Sequence, residues 1–110
     1  MQRWKTTLAA VAGLAALAVP AHAMDAAAAK ALAQKSACMG CHAVDKKMVG
    51  PSYKAIAEKY KGMKPEELAA SIKKGGAGKW GPVPMPAQTA LSDADAKTLA
   101  EWILAGAPDK

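Results

Sequence analysis

The chain has 110 residues, of which 52% are apolar, and its formal net charge at pH 7 is +6. This length favours a single compact domain, and the scatter of the basic residues, without a basic stripe interleaved with aromatic residues, argues against a nucleic-acid-binding domain. Much of the apolar fraction is alanine and phenylalanine is absent, so we expect a small core that needs a disulfide, a metal or a prosthetic group to be stable.

The N-terminal segment, residues 1–23, predicts an export signal. Two basic residues precede an apolar run, Leu8–Val19, and Ala21–Ala23 supplies the small-x-small pattern that signal peptidase recognises. A retained membrane anchor is the alternative, but about a dozen apolar residues fall short of the roughly 20 that a spanning helix needs. We therefore expect cleavage after Ala23, which leaves a periplasmic domain, residues 24–110, with a net charge of +4.

Two helices are predicted in the first half of that domain. Asp25 can cap a helix from about Ala26 to Ala37, a stretch made almost entirely of good helix formers. Residues 43–51 show no clear period and indicate a loop closed by a Gly-Pro pair. A second short helix, which Gly62 ends, is predicted by apolar residues at i, i+3, i+4 and i+7; these are Tyr53, Ile56, Ala57 and Tyr60.

Two more helices are predicted in the second half, with a long loop between them. Pro65 at a first helical position, followed by two glutamates at the positive end of the helix dipole, predicts a helix that Gly75 ends. Residues 75–89 hold four glycines and three prolines and can be neither helix nor strand. Ser92 caps the last helix in a capping-box arrangement. Its inward stripe is Ala96, Leu99, Ala100, Ile103 and Leu104. No segment alternates as a strand does, so the predicted fold class is all-α.

Cys38-Met39-Gly40-Cys41-His42 is the C-x-x-C-H pattern of c-type haem attachment. Two thiols three positions apart can each form a thioether with one haem vinyl group, and the histidine that follows can then bind the iron. A disulfide, a thioredoxin-like redox pair and a zinc site are the alternatives. The missing βαβ pattern, the incomplete zinc ligand set and the small core favour one haem c attached at Cys38 and Cys41, with His42 on the iron.

The opposite side of the iron requires a second ligand or an open site. His42 is the only histidine left after cleavage, so a methionine sulfur or an open position remains. Met63 could fill the core at a helix end. Met85 lies in the long loop between two prolines, which restrict the backbone and lower the entropy cost of presenting a side chain. These features favour Met85 over the terminal or poorly placed methionines, Met24, Met39 and Met48.

Together these motifs resemble the small bacterial class I cytochromes c of the cytochrome c-551 group. The matching stretches are Cys38–His42, Lys47–Pro51 with Tyr53 just beyond, Trp80–Pro86 and Thr98–Trp102, and they span nearly the whole mature chain with similar spacing. The resemblance implies a class I cytochrome c fold, about four short helices wrapped round one covalent haem. It also implies a periplasmic carrier of single electrons.

The same resemblance assigns roles around the cofactor. His42 and Met85 would be the axial ligands, and the Pro51 carbonyl would accept a hydrogen bond from the far nitrogen of His42, which fixes the ring. Trp80 would donate its indole N–H to a haem propionate, with simple core packing as the alternative.

Two positions depart from the pattern of the relatives. Ser71 stands where relatives often carry an arginine near a propionate, and Gln88 stands where an asparagine amide often hydrogen-bonds the methionine sulfur. Gln88 is therefore a further candidate cofactor contact. Both differences bear on the redox potential, because local charge and hydrogen bonding at the cofactor set it.

A saturated iron leaves no place for substrate, so we expect a monomeric electron carrier and no enzyme. Its partners would be redox proteins with acidic docking faces, for example a periplasmic reductase or a terminal oxidase, with no nucleic acid and no membrane insertion. A haem enzyme or gas sensor with a labile Met85 is one alternative, and a haem-free interaction module with a disulfide is another. The lysines expected near the haem pocket are Lys46, Lys47, Lys54, Lys59, Lys61, Lys73, Lys74 and Lys79.

Overall fold

The computed structural model describes residues 25–109 of the chain. Within this part the chain forms four α-helices and one short 3₁₀ helix, and its only β-type pairing is an isolated antiparallel bridge between Gly76 and Met85. The all-α prediction is therefore confirmed. The predicted export signal, residues 1–23, lies outside the described residues. The helices are α1 (Ala26–Lys35), the 3₁₀ helix (Cys38–Gly40), α2 (Tyr53–Lys59), α3 (Pro65–Lys74) and α4 (Asp93–Leu104).

Helix α1 begins where predicted and ends earlier than predicted. The Asp25 carboxylate accepts a hydrogen bond from the Ala28 backbone N–H at 3.1 Å, as expected of an N-cap. The prediction that the helix extends to Ala37 is wrong, because α1 ends at Lys35 and Ala37 has a left-handed φ of 60°. This left-handed residue turns the chain out of the helix and into the 3₁₀ turn, which begins at Cys38 and is capped by Cys41.

The other three helices each start at a local sequence signal, which was predicted for α3 and α4. Helix α3 begins at Pro65 and its C-cap is Gly75, as the sequence predicts. The Ser92 hydroxyl accepts a hydrogen bond from the Asp95 backbone N–H at 3.0 Å, which starts α4. Ser52 caps α2 in the same way and is an addition to the predicted caps. Local sequence signals thus fix these helix starts.

Helix α4 is the central element, because α1, α2 and α3 all pack against it. Four of the five residues in its predicted inward stripe are buried, while Leu104 is half-buried. Trp102 is fully buried, and its indole N–H donates to the Pro108 carbonyl oxygen at 2.9 Å. On α1, Ala29 and Ala33 are fully buried, and alanine at these positions lets α1 approach α4 closely. None of the helices in residues 25–109 is long and apolar enough to cross a membrane.

Candidate functional site

A cavity lies between α2, α3, α4 and the loops that join them, and it collects residues from distant parts of the sequence. Cys38, Cys41 and His42 line it from the C-x-x-C-H segment, and Met85 lines it from the long loop. Most of its other lining is apolar. This lining includes Pro51, Tyr53, Ile56, Tyr60, Met63, Leu68, Ser71, Ile72, Trp80, Val83, Leu99 and Ile103. Of the predicted site residues, all but Gln88 therefore meet at one cavity.

The His42 ring is held from three directions. Its Nδ1 atom lies 2.7 Å from the Pro51 carbonyl oxygen, so the tautomer with hydrogen on Nδ1 donates this bond and leaves the Nε2 lone pair available. The ring stacks on Tyr53 with a centroid separation of 5.3 Å and an interplanar angle of 27°. On the third side lies Gly50, where an added Cβ would stand 2.5 Å from Cε1 of the imidazole. The histidine is thus oriented before any ligand is considered.

The two cysteines are presented on one tight turn. Both are free thiols, with Cys38 half-buried and Cys41 exposed. The backbone N–H groups of Cys41 and His42 both donate to the Cys38 carbonyl oxygen, at 3.2 and 3.0 Å. Burial raises the pKa of the Cys38 thiol. The turn therefore places both sulfur atoms beside the imidazole that follows them.

Tyr53 lines the cavity and has a buried hydroxyl. The residue is 2% exposed, and its hydroxyl oxygen has no hydrogen-bond partner among the described residues. Burial raises the pKa of this phenol, and the neighbouring Cys38 and Cys41 act in the same direction. Its ring also packs edge to face against Trp102 at 5.1 Å. A buried hydroxyl without a partner is costly, and no described residue offsets that cost.

Met85 is fixed at the cavity by its backbone. Its N–H donates to the Gly76 carbonyl oxygen at 2.8 Å and its carbonyl accepts from the Gly76 N–H at 3.1 Å. Gly75, with φ of 67°, allows this approach, because a Cβ there would lie 2.8 Å from the backbone nitrogen of Ala87. Met63 also lines the cavity, whereas the other described methionines do not. The structure thus leaves two candidate sulfur ligands.

Trp80 lies on the rim of the cavity and not in the core. Trp80 is 38% exposed and lines the cavity, so it lies outside the buried core of residues 25–109. The indole ring packs edge to face on Tyr60, at 6.1 Å between centroids, and the Lys59 ammonium lies 4.4 Å from its centroid. The predicted bond from its indole N–H to a propionate stays a prediction.

The two departures from the family pattern are placed differently. Ser71 lines the cavity from α3, but Gln88 does not. The Gln88 side-chain N–H donates to the Pro86 carbonyl oxygen at 3.1 Å. The Gln88 backbone N–H donates to the Lys73 carbonyl oxygen at 3.0 Å. In this structure the amide therefore holds the loop after Met85, and the expected contact with the Met85 sulfur stays a prediction.

This set of residues fits a covalently bound haem better than a zinc ion. Residues 25–109 contain no cluster of three or more His, Cys, Asp and Glu side chains that could hold a metal ion alone, whereas tetrahedral zinc needs about four such ligands. The cavity instead offers paired thiols, an oriented imidazole, a thioether sulfur and apolar walls. An iron porphyrin uses all of these features, because its apolar face fills the small core and its vinyl groups can accept the thiols.

Comparisons with known proteins agree with this interpretation. Residues 26–107 match the sequence profile of the family described as Cytochrome c. The cytochrome c-552 of Hydrogenobacter thermophilus is 53% identical over 75 residues, which are 66% of this chain and 76% of that protein. The cytochrome c-551 of Azotobacter vinelandii is 54% identical over 69 residues, covering 61% of this chain and 83% of that protein.

Solved structures show the same fold. The crystal structure of wild-type Nitrosomonas europaea cytochrome c552 superposes with a TM-score of 0.67 at 49% identity, covering 70% of this chain and 98% of that one. The class 1 cytochrome MtoD from Sideroxydans lithotrophicus ES-1 gives a TM-score of 0.64 at 34% identity, with coverages of 78% and 100%. These overlaps confirm the fold that the sequence resemblance implied.

Proposed function

The chain belongs to the cytochrome c family, in the group of small class I proteins related to cytochromes c-551 and c-552, and from this premise we propose that it shuttles single electrons between redox proteins of the periplasm. It carries one covalently bound haem c. The bound haem supplies one-electron oxidation and reduction of its iron. The observation that carries the proposal is the meeting of the thiol pair, the oriented His42 imidazole and Met85 at one apolar cavity.

Cys38, Cys41 and His42 form the attachment side in this proposal. Both thiols would be consumed as thioethers, and His42 would bind the iron through Nε2 because Nδ1 is engaged with the Pro51 carbonyl oxygen at 2.7 Å. This hydrogen bond fixes the orientation of the imidazole and restricts its rotation. Pro51 and Gly50 therefore support the ligand without touching the metal.

Met85 is the proposed ligand on the other side. Its backbone is fixed by the two-way bridge to Gly76 and by the prolines on both sides of it, so little conformational entropy is lost when the sulfur binds. Met63 follows α2 in a turn, and its backbone N–H donates to the Tyr60 carbonyl oxygen at 2.8 Å. We assign Met63 to packing against the core, where its flexible side chain fills space.

Two filled axial positions distinguish a carrier from a haem enzyme or gas sensor. The residues that line the cavity include no aspartate or glutamate, and His42 is their only histidine. A catalyst of oxygen or peroxide chemistry needs an acid or base beside an open metal position. Once His42 and Met85 are bound, the metal would have no open position, and the lining holds no carboxylate and no second imidazole, which supports electron transfer as the activity.

The rim of the cavity suits a transient protein partner. Val49 and Val83 line the cavity and are 57% and 56% exposed, and Lys79 lies among the lining residues. A small apolar contact beside lysines fits a redox partner with an acidic docking face, such as a periplasmic reductase or terminal oxidase. Not all eight predicted lysines are equivalent, because Lys73 is paired with Asp93. We propose that the protein acts as a monomer.

Rates of electron exchange test this proposal. The haem-loaded protein would be mixed with an acidic redox protein at increasing ionic strength, and the second-order rate constant is expected to fall. Lys79→Glu should slow the exchange, whereas Lys30→Glu should not. Lys30 is the control because it lies on α1, a helix that contributes nothing to the cavity lining. Its ammonium pairs with the Asp109 carboxylate at 2.6 Å. A salt-independent rate would contradict an acidic partner face.

Periplasmic location has its own test. The mature protein isolated from the periplasm should begin at Met24, and its mass should include one haem. A protein that retains residues 1–23 in the membrane fraction would favour the anchor alternative.

A further inference from the structure

Lys59, the last residue of α2, joins that helix to the long loop. Its ammonium lies 4.4 Å from the centroid of the Trp80 ring and 5.6 Å from that of Tyr60. It also donates a hydrogen bond of 2.9 Å to the Lys79 carbonyl oxygen. The two aromatic rings pack edge to face at 6.1 Å, so one cation connects two rings and one backbone carbonyl.

The loop tip, defined as residues 77–84, has few other attachments. At its base the tip is closed by one isolated bridge between Gly76 and Met85, and Met85 directly follows the tip in the chain. Between these two residues, the hydrogen bond from Lys59 is the only one that the described chain makes to the loop tip. The tip is rich in glycine and proline, which form no regular structure of their own. Its position therefore depends on the contacts of Lys59 and Trp80.

We propose that Lys59 is a positioning residue that holds the loop tip against α2 and thereby keeps Met85 bound. The inference rests on the proposed function, in which the Met85 sulfur is an axial ligand. Loop segments with few hydrogen bonds open most readily, and each contact made only in the closed state lowers the open population. Lys59 acts on the loop through Trp80 and Lys79, and it does not touch the metal.

The size of the effect follows from the two contacts. A cation–π contact at an exposed site changes an equilibrium by about two- to fivefold, and a hydrogen bond of this kind contributes a factor of similar size. Loss of both should raise the open population of the loop by roughly five- to thirtyfold. Lys59 is exposed, so its replacement leaves the buried core unchanged.

Displacement of Met85 by an external ligand measures this opening. Imidazole would be titrated into the oxidised, haem-loaded protein while the weak far-red band of sulfur-to-iron charge transfer is followed. Lys59→Met keeps the aliphatic chain but removes the cation and the donor. Lys59→Arg keeps both. Lys61→Met is the matched control. Lys61 is an exposed lysine just beyond α2, so its replacement removes the same charge without removing a contact to Trp80.

We expect Lys59→Met to bind imidazole roughly five- to thirtyfold more tightly than the wild type, with Lys59→Arg and Lys61→Met close to the wild type. Equal affinities for Lys59→Met and Lys61→Met would overturn the inference while the proposed function stands. A wild-type protein that binds haem without the far-red band would overturn the proposed function itself. That result is read before any variant is compared, so the two failures are distinguishable.

Discussion

Gly50→Ala tests whether close packing of the loop before α2 orients His42. The new Cβ would stand 2.5 Å from Cε1 and 2.8 Å from Nδ1 of the His42 ring, and 3.2 Å from the Cys41 carbonyl oxygen. Carbon atoms normally pack about 3.5–4.0 Å apart, so either the ring or the loop must move by roughly 1 Å. Movement of the ring disturbs the 2.7 Å hydrogen bond between His42 and the Pro51 carbonyl oxygen. Movement of the loop disturbs the 2.7 Å hydrogen bond from the Gly50 N–H to the Cys41 carbonyl oxygen.

The expected cost is about 2 kcal/mol, because overpacking of this kind typically costs about 1–3 kcal/mol. In a domain of this size each kcal/mol corresponds to about 4–8 °C in Tm, so Tm should fall by about 8–16 °C. The assay is thermal unfolding of the haem-loaded protein, followed by its visible absorbance. The same samples report whether the ligand field at the iron has changed.

Gly40→Ala is the control for this experiment. A Cβ at Gly40 meets no atom within 4 Å, and a substitution of glycine by alanine otherwise stabilises by about 0.4–1 kcal/mol through the unfolded chain. We therefore expect Gly40→Ala to keep or slightly raise Tm. If Gly50→Ala unfolds at the same temperature as Gly40→Ala with an unchanged visible spectrum, the packing account of His42 is refuted.

Two further predictions concern the two ends of the loop that carries Met85. Gly75→Ala should destabilise the protein by at least about 1–2 kcal/mol more than Gly62→Ala, as measured by chemical denaturation. Both glycines have a positive φ, but of the two only Gly75 would place its Cβ against backbone, including the Ala87 nitrogen at 2.8 Å. Equal losses of stability would contradict this prediction. Lys73→Met should lower the free energy of unfolding slightly at pH 7 and by less at pH 2. The hydrogen bond and charge of Lys73 hold the pKa of Asp93 below its usual range. The pair therefore stabilises the folded protein at pH values above the pKa of about 3.9 that an aspartate has in the unfolded chain. This stabilisation is lost as pH falls through the lower pKa of Asp93 in the folded protein. A difference that is the same at both pH values would disprove the pairing.

Local signals in the sequence explain most of the helices. Pro65, Gly75 and Ser92 act on their own backbone neighbours, so the ends they set are visible without tertiary structure. The end of α1 is not visible in this way, because Ala37 looks like a good helix former. Its left-handed φ of 60° takes it out of the helix just before Cys38.

The site was predictable only where a motif carries it. The spacing of Cys38, Cys41 and His42 is chemical information within five consecutive residues, and the prolines around Met85 mark a presented side chain. Tyr53 carries no such mark, since a tyrosine on a helix face usually packs, and its place against the His42 ring is visible only once α2 has packed beside the cavity. The contacts of Lys59 likewise depend on how the loop folds back on α2.

The far-red absorption of the oxidised protein tests the central claim most directly. It would be recorded for the wild type and for Met85→Leu and Met63→Leu, two substitutions that nearly conserve side-chain volume. Both methionines line the cavity, so each variant is the control for the other. A band present in the wild type and in Met63→Leu but absent in Met85→Leu is the predicted result. A band that survives Met85→Leu, or disappears in Met63→Leu, would contradict the assignment of Met85 to the iron.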